Sequence, residues 1–328
     1  MDNLYRKSIK LHSLENSTPS SSVSTSKLND LLEKIGITKG ILYMLFAIFC
    51  FAVMNLIVKM LPHIPAMEII LFRSFISFVI CVVGLKMQKV KGLGTNKKVL
   101  FLRGLFGGMA LFLFFTTIQN IPLASAITLH YLAPIFTAII AWLILGERLV
   151  PLQWLFFLIS FIGVTMVKGF DERVDTVYFI MGIVSAFLSG CAYNCIRKLK
   201  TSEHPLMVIL YFPLVTLPIA SLYCIFYKWT MPMGWDWLYL LLIGILTQIA
   251  QLYMTKAYQM EEAARVASVS YTGIVYALGF GFLFFHEVFN IWVSVGIGLM
   301  LLGVILNVTF KNKKKEIVEL DDKILDSK

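Results

Sequence analysis

Eight polar or charged side chains fall well inside long apolar runs of this chain: Asn55, Arg73, His130, Tyr131, Asn194, Gln248, Gln251 and Tyr271. Their types offer hydrogen bonds and one fixed positive charge, which is equipment for holding a small polar solute. In hydrocarbon a charged side chain costs about 2.5 to 3.5 kcal/mol on insertion scales, so such residues face a bundle interior or a water-filled cavity. Arg73 leads the set, because a guanidinium matches a carboxylate or another anionic group. Asn55, His130 and Tyr131 reach a similar depth, and the four are expected to converge on a pocket in the outer half of the membrane. Asn194 and Tyr271, with Tyr193 and Ser270, are the expected counterparts in the inner half. Gln248 and Gln251, near the middle of a span, read equally as a polar path or as interhelical glue.

Plainer roles compete with these. Asn55 suits interhelical glue, and a lone His in a helix is more often a packing residue than a ligand. Arg73 has Glu68 as an alternative ion-pair partner, although the i, i+5 spacing is off-register on a helix. A coupling proton, if the protein uses one, would pass through Glu68 or His130. Glu147 and Glu287 sit at helix ends, where they read as locks on a loop or as gates.

The elements that carry these residues follow from composition. Hydrophobic residues make up 58% of the chain and charged residues 15%, with a mean hydropathy of +0.79. A soluble domain runs near a quarter charged, so this is a membrane protein. Runs of about 20 apolar residues, the length that spans a bilayer, are expected at 40–60, 67–85, 99–119, 123–145, 150–168, 177–196, 206–227, 236–257, 264–285 and 290–310. Residues 1–38 contain ENSTPSSSVSTSKLND, too polar and Ser-rich to bury a core, and read as a disordered cytoplasmic tail without a signal peptide. Residues 311–328 read as a charged cytoplasmic tail.

Lys and Arg set the orientation. With a cytoplasmic N-terminus, the inner loops hold twelve of them, Arg103 among these, and the outer loops four, Lys59 and Arg173 included. Both termini are then cytoplasmic. The net charge of +10 is explained by this bias and by anionic lipid, so no nucleic-acid partner is implied. All five cysteines, Cys50, Cys81, Cys191, Cys195 and Cys224, fall inside expected spans, which argues against a disulfide framework. Cys191 and Cys195 share a helix face but lack a His or carboxylate at ligand spacing, so no metal and no cofactor is expected. The chain has no H-E-x-x-H, Gly-x-Ser-x-Gly or Walker A sequence and no paired Asp within the spans, so an enzyme is not expected. No filter-like loop suggests a channel.

The layout occurs twice. PLASAITLHYLAPIFTAIIAWLILGE at 122–147 returns as EAARVASVSYTGIVYALGFGFLFFHE at 262–287. Gly104 then aligns with Gly244, Gln119 with Gln259, Tyr131 with Tyr271 and Glu147 with Glu287, and at a near-equal offset Asn55 and Lys59 align with Asn194 and Lys198. Five spans form one unit, and an odd number forces the second unit to enter from the opposite side, as an inverted repeat.

RGLFGGMALFLFFTTIQNIPLASAITLHYLAPIFTAIIAWLILGE at 103–147 resembles the drug/metabolite transporter superfamily and its EamA domain. The likeness lies in a small-residue-rich third helix, a Pro-Leu entry to the fourth, a mid-helix aromatic-x-x-Pro and a Gly-Glu ending. AVMNLIVKML at 52–61 and EIILFRSF at 68–75 are similar to the family's first two helices. The resemblance covers two EamA-like units, 39–170 and 175–310. It departs in the second unit, where Ile274, His286 and Pro213 stand opposite Pro134, Gly146 and Arg73, so strict functional symmetry is not implied. It implies an all-α membrane protein of ten transmembrane helices in two inverted five-helix repeats, in a bacterial inner membrane. The implied activity is ATP-independent alternating-access transport, often export, of a small metabolite, here an amino-acid-like or organic-anion solute. A lipid flippase or a non-transporting scaffold is the alternative.

Overall fold

The computed structural model describes residues 38–90, 92–145, 151–199, 202–227, 229–260, 269–303, 305 and 306, and among them every regular element is a helix. In chain order these are α1 (Lys39–Met60), α2 (Ala66–Met87), α3 (Lys97–Asn120), α4 (Leu123–His130), α5 (Ala133–Leu145), α6 (Pro151–Phe170), α7 (Thr176–Leu199), α8 (Pro205–Phe226), α9 (Asp236–Met260), α10 (Gly273–Phe285) and α11 (Ile291–Gly303). Among the described residues seven stretches are long and apolar enough to cross a membrane, α4 and α5 together forming one of them, and three further apolar helices are shorter. Glu147, Arg148, Lys200, Glu261, Glu262, Arg265 and both tails lie outside the described residues.

Local chemistry sets the helix starts. The Thr38 hydroxyl accepts the Ile41 N–H at 3.4 Å and so caps α1. Pro65 and Pro122 immediately precede α2 and α4, while Pro151 and Pro205 open α6 and α8, where a missing N–H costs nothing.

The closest helix pairings are α3 with α7, α1 with α9, α2 with α8 and α5 with α7. Each joins a helix before residue 170 to one after it, so the two halves interleave. Glycines allow the tightest crossings. Gly104 lies on the Tyr211 carbonyl and Gly108 on the Thr216 side chain, so the small-residue face of α3 packs on α8. A β-carbon on Gly163 would stand 2.5 Å from the Gly296 carbonyl oxygen, which brings α6 and α11 into backbone contact. Gly298 meets nothing within 4 Å and takes no part in that contact. Phe46, Val79, Leu158, Val275 and Phe282 are exposed on the outside of the bundle, as a lipid-facing surface requires. All six Trp are exposed near helix ends, the position of an interfacial belt.

The fourth span breaks at Tyr131–Leu132. Pro134 has no N–H to give the His130 carbonyl four residues back, so the helix restarts as α5. The break recurs at Tyr271–Thr272, where Ile274 stands in place of the proline. There the Thr272 hydroxyl donates to the Val269 carbonyl at 2.8 Å. A β-carbon on Gly273 would overlap the Tyr131 hydroxyl, so each break presses on the other.

Candidate functional site

Arg73 projects from α2 into the bundle and is 4% exposed. Its Nε donates to Thr247 Oγ1 of α9 at 3.1 Å, and its guanidinium lies 4.7 Å from the centre of the Phe212 ring of α8. One terminal nitrogen, Nη1, has no partner. Arg103 approaches the same ring from α3 at 5.7 Å, is 6% exposed, and its Nε has no partner. Counting Arg103 among loop charges is therefore incorrect, because it lies one and a half turns inside α3 with its head among α7 and α8. The sequence carries a faint signal for this in RGLFGG: a β-carbon on Gly107, one turn on, would overlap Arg103 Nη1.

The ion pairs among the described residues are Lys59–Glu287, His63–Asp236 and Arg173–Asp171, so neither buried arginine has an acid. Cation–π contact is worth about 2 kcal/mol when desolvated. Burying a charge costs several kcal/mol per ion, so the shared ring does not balance the two arginines. Glu68 does not pair with Arg73. Fully buried, it accepts the Thr230 N–H at 3.0 Å, as the i, i+5 spacing points the two side chains apart.

Around Arg73, α2 presents a polar stripe. Ser74 bonds Thr216 at 2.8 Å, Ser77 donates to Gln248 Oε1, and Gln248 Nε2 reaches Cys81 Sγ at 3.4 Å. Gln248 is thus glue between α2 and α9, one residue from Arg73's partner Thr247. Gln251, a turn on, is half-buried and shows no side-chain bond.

The tyrosines meet across the two breaks. The Tyr131 hydroxyl donates to the Ser270 carbonyl at 2.8 Å, and its ring meets Tyr271 edge-to-face at 5.2 Å. His130 stacks on Phe114 at 4.3 Å with Nδ1 unpartnered. Asn194 donates to the carbonyls of Thr137 and Gly190 at 3.1 and 3.0 Å, and its oxygen, like that of the buried Asn55, has no partner. The eight residues therefore do not form one pocket: Arg73 lies beside Gln248 through Thr247, Tyr131 meets Tyr271, His130 stacks on Phe114, Asn194 bonds Thr137 and Gly190, Asn55 is buried, and Gln251 is half-buried. The described contacts do not join Arg73 to Asn55, His130 or Tyr131. An apolar cleft of about 250 Å³ opens between α2, α3 and α8, with Ile70, Gly104, Phe112 and Thr216 in its wall, and neither arginine lines it.

One end of the bundle is locked. Glu287 accepts the Leu123 N–H at 2.9 and 3.0 Å and the Lys59 ammonium at 3.1 Å. Leu123 opens α4, whose N-cap, Pro122, supplies no side-chain cap, so the carboxylate of a distant helix end satisfies the orphan donor and the dipole. Glu287 is 7% exposed, more deeply set than an interfacial loop lock. His286, at φ 50°, turns the chain back to place it. At the same end Arg173 grips Asp171 at 2.8 and 3.0 Å and donates to the Val288 carbonyl at 3.1 Å. The hydrogen bonds of Asp171 hold that guanidinium above its ordinary value, against the lowering effect of burial.

At the opposite end, Glu203 accepts the N–H groups of Thr95 and Asn96 and the Thr95 hydroxyl, each at 2.7 Å. Burial pushes its carboxyl up, but those bonds outweigh it and hold the group below the usual carboxylate range. Gly94, at φ +78°, makes this possible: a β-carbon there would stand 2.8 Å from Glu203 Oε2.

Comparison with known proteins places this geometry. The model of the EamA-like transporter family matches residues 38–168 and again 176–309. The chain is 33% identical to the pseudopaline exporter CntI of Pseudomonas aeruginosa over 255 residues, 76% of this chain and 88% of that protein. It is 30% identical to mouse solute carrier family 35 member G1 over 276 residues, 78% of this chain and 74% of that protein. A solved crystal structure shares the fold with a TM-score of 0.60 at 18% identity, covering 84% of this chain and 98% of its own. Two matches to one transporter model, over most of a multi-pass helical membrane protein, show that the chain belongs to the EamA-like transporter family.

Proposed function

We propose that this protein is a secondary carrier that exports a small carboxylate-bearing metabolite by alternating access, with both termini cytoplasmic and two five-helix units, 39–170 and 175–310, inverted about an axis in the membrane plane. The observation that carries the solute class is Arg73: a charge buried at 4% exposure, held by Thr247 and Phe212, with a free nitrogen and no acid to pair with. A ligand carboxylate supplies the missing partner, and an amino-acid-like or organic-anion metabolite brings one. The exporter among the relatives supports the direction. The recurrence of the helix break at Tyr131 and Tyr271 supports the inverted units, since equivalent flexures in both halves let one end open as the other closes. On this reading the Lys59 end faces outward and is shut, and opening it parts Glu287 from Lys59 and from the α4 N-terminus.

The test is counterflow of labelled amino and organic acids in proteoliposomes. Wild-type protein should show saturable, competitor-sensitive exchange. Arg73→Ala should lower exchange of anionic solutes at least a hundredfold while the protein remains monodisperse; unchanged kinetics would remove Arg73 from the site, and absence of exchange by wild type with any solute would end the carrier reading.

A further inference from the structure

Resting on the carboxylate reading of Arg73, we infer that Arg103 is a second anion-recognising residue and that the solute carries two negative groups, a short dicarboxylate being the chemistry that fits. Both guanidinium groups lie over one ring, 4.7 and 5.7 Å from its centre, so they are no further apart than those two distances laid end to end. Two like charges that near repel each other in a dry interior, and each keeps an unpartnered nitrogen, Nη1 on Arg73 and Nε on Arg103.

No carboxylate among the described residues is placed to relieve this. Glu287 is committed to Lys59 and Leu123, Asp171 to Arg173, and Glu68 accepts from Thr230. The negative charge must come from the ligand. A single carboxylate on Arg73 leaves Arg103 buried and uncompensated, and two carboxylates on a short chain neutralise both. Planar guanidinium groups accept a carboxylate edge bidentately, which favours two separate carboxylates over two lone oxygens. Gly107 keeps the space that the Arg103 head occupies.

The experiment measures binding of succinate, glutarate and adipate, each beside its monomethyl ester, to the purified full-length protein in detergent. At least one dicarboxylate should bind at least tenfold tighter than its ester. In Arg103→Gln that advantage should fall below threefold while the ester binds as before, and Arg103→Lys should restore part of it. In Arg73→Gln the ester should lose binding as well. Equal binding of dicarboxylate and ester by wild type, a comparison that needs no variant, would overturn the inference, as would equal weakening of both ligands in Arg103→Gln. An ester that binds wild type and fails with Arg73→Gln leaves the Arg73 reading standing in either case; an ester indifferent to Arg73→Gln sinks that reading first.

Discussion

Glu287 shows how one residue can hold two distant parts of the chain. Its carboxylate serves at once as counter-ion to Lys59 and as the missing N-cap of α4. Glu287→Gln keeps an acceptor for the Leu123 N–H but strands the Lys59 ammonium, whose side chain is 12% exposed. Breaking a buried pair by removing one member costs about 3 kcal/mol, and removing both charges costs less. The expected result is a clear drop in thermal midpoint for Glu287→Gln and partial recovery in Lys59→Met with Glu287→Gln, read by calorimetry in detergent. Glu203 makes a pH-dependent contribution. Its folded-state pKa is depressed, so the stabilisation is present above the unfolded carboxylate value of about 4.3 and is lost as pH falls through the folded one. Wild type should therefore exceed Glu203→Gln in thermal midpoint at pH 7, and the gap should narrow steadily below about pH 4.3. A gap independent of pH would mean that the carboxylate's charge is not what holds Thr95 and Asn96.

Among the elements, the broken helices carry most of the mechanism proposed above. α4 stops at His130 before Pro134, yet the equivalent break before α10 forms with Ile274 in the proline's place. A proline is thus not required for a break, and Pro213 and Pro218 inside the unbroken α8 show that one alone does not force it. Pro134→Ala should keep exchange within about threefold of wild type, because the tyrosine contacts across the breaks remain; a proline in a helix interior is worth about 3 kcal/mol against the helix, so its removal does not destabilise α5. Gly273→Ala is the stringent change. Its β-carbon would overlap the Tyr131 hydroxyl, displacing either the ring or α10, and exchange should fall at least tenfold in the same counterflow assay. Equal tolerance of both substitutions would show that the break-to-break contact has no part in transport. Pro213 and Pro218 lie inside α8, next to the ring both arginines share, where the first half has Arg73 at the position aligned with Pro213. On the carrier reading the binding chemistry is lopsided, with Arg73 in the first half aligned to Pro213 in the second.

At the scale of the whole molecule, Lys59 with Glu287, His63 with Asp236 and Arg173 with Val288 gather loops from both halves at one end, and Glu203 with Thr95 does so at the other. Single cysteines at Gln88 and Ser202, in a cysteine-free background, should label from the cytoplasmic side, and those at Glu172 and Val288 from the opposite side. The reverse partition would overturn the cytoplasmic termini and keep the inverted halves, and any mixed partition contradicts the inverted halves. The membrane class, the apolar helices and their near limits, and the family were legible from the chain itself, because hydropathy, proline positions and internal alignment are properties of contiguous residues. Arg73 was legible too, as a charge in the middle of an apolar run. Arg103 was not: a charge near the first turns of a span reads the same whether its head turns outward to water or inward to Phe212, and only the rotation of α3 against α7 and α8 distinguishes them. The same holds for Glu287, whose meeting with Leu123 across 164 positions depends on where α10 ends relative to α4. Sequence determines which segments enter the bilayer, since that depends on transfer energy summed along a segment. Which buried charges find partners, and which do not, is decided by how the helices rotate and cross.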